Sequence, residues 1–170
     1  MWRQAALGTG AVMLTVVVLW GLFTVAMRTR FRPVQDAIRR MNRATLNPRT
    51  MRTAGQRGAY ASVVHHVGRT SGAPYATPIV ARPTGDGFIV ALPYGTRADW
   101  LKNVLAAGAA TIDHDGGTYR VTHPEVVATA TVDRHFRGGE RRNHRLYGVD
   151  QVLVVTAGRP PAGGTPAAAG

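Results

Sequence analysis

The side chains in this sequence that can do chemistry are arginines, tyrosines, histidines and a few hydroxyls. There is no cysteine, which excludes disulfides, thiolate catalysis and cysteine-ligated metal sites. The most suggestive spacing is Gly68-Arg-Thr-Ser-Gly72. Glycines at both ends let backbone approach a ligand closely. Arg69, the turn amides and the hydroxyls of Thr70 and Ser71 are a donor set for phosphate or carboxylate. Taken alone, Arg69 reads better as an exposed turn arginine. The histidines His65, His66, His114, His123, His135 and His144 show no carboxylate at metal-ligand spacing. His65 and His66 are adjacent, so in a strand they face opposite ways and do not share an ion. Asp113-His114-Asp115 reads as a polar turn, and no metal site is expected.

Charge gives a second constraint. Net charge is +12, with Lys102 the only lysine. Between Arg28 and Arg57 nine arginines face one acid, Asp36, a local excess of +8. Such a block suits nucleic acid or an anionic lipid surface. It lacks interleaved aromatics and any nucleic-acid motif, so no nucleic-acid partner is expected, and a hydrophobic neighbour points to membrane lipid.

That neighbour is Ala5 to Met27, 23 residues without a charge. As a helix it is about 34 Å long, enough for a hydrocarbon core of about 30 Å. Arg3 alone precedes it, while Arg28, Arg30 and Arg32 follow, so the positive-inside rule sets the N-terminus outside and the remainder in the cytoplasm. A cleaved secretory signal is the competing reading; the length of the run and the missing small-x-small site favour an uncleaved single-pass anchor.

The chain thus divides into a membrane anchor with its Arg flank (1–32), an amphipathic helix and basic linker (33–58), a folded domain (59–157) and a Gly/Ala/Pro tail expected to be disordered (158–170). The helix opening at Pro33 has Val34, Ile38 and Met41 on one face, suited either to the membrane surface or to packing on the domain. Arg49 to Gly58 reads as a basic, glycine-punctuated linker. Within the domain, strands are expected over 59–67, 75–82, 88–92, 111–115, 118–122, 125–130 and 151–156, with turns at Gly68–Gly72, Pro83–Gly87, Pro93–Thr96 and Gly116-Gly117. Asp99 to Ala107 reads as a helix with Trp100, Leu101, Val104 and Leu105 inward, stopped by Gly108. Asp133 to His144 reads as helical but broken at Gly138-Gly139. The fold class is α+β, mainly β, and several short strands with one or two short helices suit a small barrel.

Three stretches in order resemble the deazaflavin-dependent nitroreductases, also called F-420-dependent quinone reductases, whose fold is a split β-barrel like that of FMN-binding proteins. They are the turn and Pro-bearing strand Val67-Gly-Arg-Thr-Ser-Gly-Ala-Pro-Tyr-Ala-Thr-Pro-Ile79, the loop Ala91-Leu-Pro-Tyr-Gly95 leading into the Trp100-x-x-Asn103 helix, and the strand pair Ala109 to Val121. The resemblance implies coenzyme F-420 as cofactor, with FMN a weaker option. It implies a cofactor site at Gly68, Arg69, Thr70, Ser71, Gly72, Tyr75, Thr77, Pro78, Leu92, Pro93, Gly95, Trp100 and Asn103. In that site Trp100 and Asn103 would tie down the loop before them. Thr70, Tyr75 and Pro93-Tyr94 stand where the family carries basic or polar residues, and Arg52, Arg82 and Arg97 are the possible replacements.

The implied reaction is hydride transfer from reduced F-420 to a quinone, nitro-aromatic or other lipophilic acceptor at the membrane. The acceptor gains negative charge, so a donor helps; Tyr94 and Tyr147 are the catalytic candidates, with Tyr75 a third. The altered anchors motivate an alternative, a non-catalytic membrane-associated binder of lipid, fatty acid or cofactor. Either a monomer or a homodimer is compatible with the sequence.

Overall fold

The computed structural model describes residues 2–29, 33, 37, 41 and 47–158. The amphipathic helix expected over 33–46 and the tail beyond Gly158 lie outside the described residues. Helix α1 spans Trp2–Arg28. Apart from Arg28, its described side chains run from Met13 to Ala26, about 21 Å of axis, and among the described residues no helix is long and apolar enough to cross a membrane. Those side chains are nonetheless open: Met13, Leu14, Val17, Leu19, Leu22 and Val25 are each more than half exposed. One face meets the domain, where Phe23 packs edge-on against Tyr147 at 6.2 Å.

A single antiparallel sheet follows. Its strands are β1 (Ser62–Val67), β2 (Pro74–Ile79), β3 (Ala81–Pro83), β4 (Gly87–Ala91), β5 (Ala109–His114), β6 (Gly117–Ala128) and β7 (Gln151–Ala157), in spatial order β2-β1-β5-β6-β7-β4-β3. The two edge strands, β2 and β3, are consecutive in the chain with Val80 alone between them. Two Cα–Cα steps span at most about 7.6 Å, so the far edges of a seven-stranded sheet nearly meet. The sheet is therefore rolled into a barrel, split at the Val80 corner.

Short helices complete the domain: α2 (Asn47–Thr50), α3 (Asp99–Ala107) and α4 (Gly138–Tyr147), with 3₁₀ turns at Gly95–Arg97 and Thr129–His135. Inside the barrel Val64, Ile112, Val121, Phe88, Val90, Leu153 and Val155 form one core, joined by Leu101 and Val104 of α3. A second cluster of Ile89, Val152 and Phe136 covers the outer face of β4 and β7. Burial on both faces explains why β4 is apolar without alternation.

Several local expectations shift. Strand 75–82 is two strands, bent at Val80. The hairpin turn falls at Asp115-Gly116, both with positive φ (50° and 79°), as a two-residue type I′ turn needs; His114 pairs with Gly117. The 125–130 segment belongs to the long β6, bent at His123-Pro124 where its register with β7 slips. Gly138-Gly139 starts α4 rather than breaking a helix. Leu105 points outward, 38% exposed, and Asn103 is buried in its stead.

The linker Arg49–Gly58 is docked on the barrel. Gly55 accepts from the Gly116 N–H at 2.7 Å and donates to the Ala61 carbonyl at 2.8 Å. Asp115 Oδ1 accepts from the Gly58 N–H at 2.6 Å. At Gly55 (φ +79°) a Cβ would come within 2.8 Å of the Asp113 Cβ, so glycine lets this segment lie flat on the β5–β6 hairpin.

Candidate functional site

The Gly68–Gly72 turn joins β1 to β2 and is closed by its own backbone: Gly68 N–H donates to Ala73 O and Gly72 N–H to Gly68 O, both at 2.8 Å. Its arginine reaches α3. Arg69 N–H and Nη1 donate to Asn103 Oδ1 at 3.2 and 2.9 Å, and Nη2 approaches Asp99 Oδ1 at 3.5 Å. Since α3 follows directly from Pro93–Gly95 and the 3₁₀ turn, these contacts bring the two resemblance loops to the same helix. Asn103 therefore ties down the Arg69 turn, not the loop before it.

Asn103 continues inward. Its Nδ2 lies 3.1 Å from His66 Nδ1, and His66 Nε2 lies 3.1 Å from Thr77 Oγ1. With Oδ1 already accepting from Arg69, Asn103 donates to His66 Nδ1. His66 is then neutral with its proton on Nε2, donated to Thr77. Burial lowers the His66 pKa, and the neighbouring His65 lowers it further. The Tyr75 ring stacks on His66 (5.7 Å between centroids, 21° between planes), and its hydroxyl bonds Ser71 Oγ at 3.2 Å.

Asp99, Asn103 and Ala107 are spaced by four, so they form one stripe along α3. At the far end of that stripe, past Ala107, a cleft of about 510 Å³ opens over β1, β2 and β5. Its lining includes His65, His66, Tyr75, Thr111 and Arg120. The volume is in the range of small-molecule sites.

Of the residues singled out from sequence, Arg69, Ser71, Tyr75, Thr77 and Asn103 converge on this network. Gly68 and Gly72 shape its turn, while Thr70 lies exposed on it. Pro78, beside Thr77, is on the opposite face of β2, paired with Val63. Leu92 is core, 4% exposed; Gly95 (φ +68°) makes the bend before α3, flanked by half-buried Pro93 and Tyr94. Trp100 packs against the core. Tyr147 sits on α4 against α1 and does not line the cleft. Arg82 is paired with Glu140 of α4, and Arg52 is exposed on the docked 49–58 segment.

His66, His65 and Arg120 were not legible as site residues. A histidine in a strand carries no spacing signal, and the register that gathers them depends on β5 and β6. Among the described residues no group of three or more His, Asp or Glu could hold a metal ion.

No family model matches the chain, and no curated protein matches it. Among solved structures, one described as an F420 reductase shares 17% identity over 61% of this chain and 87% of its own, with TM-score 0.41. A second, an F420-H2 dependent reductase (FDR-A), shares 13% identity over 59% of this chain and 95% of its own, with TM-score 0.36. The heme storage protein HutZ from Vibrio cholerae shares 15% identity over 61% of this chain and 83% of its own, with TM-score 0.39. At these scores the likenesses carry no conclusion about cofactor or reaction; the barrel assignment stands on the strand order and the Val80 corner.

Proposed function

We propose that this chain is an F-420-dependent oxidoreductase that reduces a quinone, nitro-aromatic or other lipophilic acceptor beside a membrane. The observation that carries the reading is the Arg69–Asn103 contact. Through it the two loops that resemble the deazaflavin enzymes meet on α3, next to a cleft of suitable size.

Reduced F-420 supplies a hydride from C5 of its deazaflavin ring. The residues present fit such a group. Tyr75 offers an aromatic face, neutral His66 adds no charge under a flat ring, and Arg69 offers a cation for a phosphate or carboxylate tail. The Arg69–Asp99 pair is long, with the side chains 38% and 63% exposed. Exposed pairs of this kind are worth at most about 1 kcal/mol, so an incoming anion displaces Asp99 easily. Tyr94 remains a candidate hydrogen-bond donor near the Pro93–Gly95 bend. Tyr147 is better explained by its packing on Phe23.

Membrane placement is part of the same proposal. It is supported by the uncharged run Ala5–Met27, the flanking arginines and the exposed apolar side chains of α1. The N-terminus would lie outside and the barrel in the cytoplasm, within reach of lipid-dissolved acceptors.

Binding of F-420 to the detergent-extracted chain, followed by fluorescence quenching, is the primary test. Anaerobic mixing with reduced F-420 and menaquinone analogues is the second. Absence of binding at tens of micromolar, with the fold intact, removes the oxidoreductase reading. A non-catalytic lipid or cofactor binder would then be favoured, a reading to which the internal engagement of Arg69 also gives support.

A further inference from the structure

Helix α4 divides its side chains among three surroundings. Glu140, Arg141 and His144, spaced by three and four, lie on its barrel side. Glu140 holds Arg82 of β3. Arg141 Nε donates to the Phe136 carbonyl at 3.1 Å, and its Nη1 reaches Asp133 at 3.5 Å. The His144 ring meets Phe136 edge-on at 4.6 Å. Tyr147 and Gly148, at the C-terminal end, meet α1. Arg142 and Arg145, three apart, share the remaining side, and both are exposed. Gly138, one turn before Arg142, belongs to that side too; it adds no side chain, and a Cβ there would meet nothing within 4 Å.

The charge on this side is uncompensated. From Asp133 to Arg145 five arginines stand against two acids, and both acids are engaged, Asp133 by Arg141 and Glu140 by Arg82. Arg142 and Arg145 have no carboxylate partner among the described residues. The face also runs on into the end of α1. Arg28 Nη1 approaches the Arg145 carbonyl at 3.5 Å, an acceptor that the last turn of α4 leaves without a helical partner. A Cβ on Gly148 would come within 3.3 Å of the Arg28 Cα. Phe23, which meets Tyr147, stands about 7.5 Å of helix axis before Arg28. The C-terminal turn of α4 is therefore level with the charged end of α1, where exposed Leu22 and Val25 give way to Arg28. A passage from apolar to cationic side chains is what a bilayer surface selects.

We propose that Arg142 and Arg145, with Arg28, form a docking surface for the phosphates of anionic lipids, which lays α4 on the bilayer and fixes how the barrel faces it. This rests on the membrane placement proposed above and goes beyond it. Helix α1 sets where the chain is held, and α4 sets the orientation of the domain. Lipid is favoured over a soluble polyanion because the apolar side chains of α1 continue the same surface. A basic residue near an anionic leaflet strengthens attachment about fivefold, so the pair contributes about 25-fold. That is too little to hold a free barrel at a membrane. With α1 inserted the contact is intramolecular, and its effective concentration makes a weak surface sufficient.

The chain has no cysteine, so Gly138→Cys gives a single site for a polarity-sensitive bimane label on this side of α4. The full labelled chain is reconstituted into vesicles of phosphatidylcholine, alone or mixed with phosphatidylglycerol, and flotation is scored in parallel. The bimane emission should shift to the blue, and brominated lipid should quench it, only where phosphatidylglycerol is present and salt is low. Arg142→Gln combined with Arg145→Gln should abolish both effects. Arg142→Lys combined with Arg145→Lys should retain them, since a lipid surface reads charge rather than the guanidinium fork. Flotation should be the same in every variant. A chain that floats with both vesicles, but whose emission ignores phosphatidylglycerol or the Gln pair, overturns the lipid surface and leaves the anchor standing. A chain that floats with neither overturns the membrane placement, and the surface with it. An equal blue shift on neutral vesicles when short duplex DNA is added assigns this face to nucleic acid and overturns the lipid partner.

Discussion

Asn103 fixes the protonation state of His66. Its Nδ2 donates to His66 Nδ1 at 3.1 Å because its Oδ1 is already occupied by two donors from Arg69. One side chain on α3 thereby connects the turn after β1, the end of β1 and, through His66, Thr77 of β2. Asn103→Ala leaves the Arg69 N–H and a buried imidazole nitrogen without partners. At about 1–3 kcal/mol for an unsatisfied buried group, the loss should be about 2 kcal/mol in urea denaturation, with weaker F-420 binding at temperatures where the variant stays folded.

Burial of His66 and partial burial of His144 make stability depend on pH. Burial lowers the pKa of His66 below 6.5. It lowers that of His144 as well, where Glu140 and Asp133 oppose the effect and Arg82 adds to it. Below 6.5 the unfolded chain binds more protons than the folded one, so stability falls with pH until each folded value is passed. The urea midpoint should therefore drop between pH 7.5 and pH 5, and His66→Gln should flatten part of that slope.

Asp99 competes with any anionic ligand for Arg69. Removing its charge with Asp99→Asn should raise F-420 affinity about two- to fivefold, in keeping with an exposed pair worth up to about 1 kcal/mol. Arg69→Ala should lower affinity about tenfold or more, since charge-assisted bonds are worth about 1.5–3 kcal/mol. Fluorescence titration at fixed ionic strength checks both.

Among the described glycines, Gly87 is the position where a side chain is least tolerable. A Cβ there would overlap the carbonyl oxygen of Val155 on the paired strand β7, whereas one at Gly85 meets nothing within 4 Å. Gly87→Ala should cost about 3 kcal/mol, the upper range for overpacking. Gly85→Ala should be close to neutral. Thermal melts of the two variants side by side test the contrast.

Lipid attachment through α1 predicts that deleting residues 1–27 moves the chain from vesicle-bound to free in a flotation assay with anionic lipid. Tyr147→Ala removes only the edge-on contact with Phe23, worth about 1 kcal/mol. It should leave flotation intact while loosening α1 from the barrel.

How much of this was legible beforehand differs by element. Helix α3 was readable to the residue, because Asp99 opens it and Gly108, at φ +67°, closes it in the left-handed conformation. Most strands were readable from alternation and turn residues. The barrel's closure was not, because nothing local marks Val80 as the point where one strand leaves one edge and enters the other. Nor was the docking of Arg49–Gly58, since its glycines look like linker residues until Gly55 is seen against Asp113. The candidate site divides in the same way. The Arg69 turn announces itself, whereas Asn103 depends on a helix facing it and His65 on a register set by β5 and β6.

Strand β7, the last among the described residues, lies between β6 and β4, deep in the middle of the sheet. A nascent chain can form the β1–β2, β3–β4 and β5–β6 hairpins early, yet these remain two separate pieces until Gln151–Ala157 slides between them. Under the proposed membrane placement, α1 would hold an unfinished barrel at the bilayer throughout synthesis. A chain stopped between β6 and β7 would leave a four-stranded and a two-stranded piece with bare edges, a form suited to aggregation rather than to a smaller working protein.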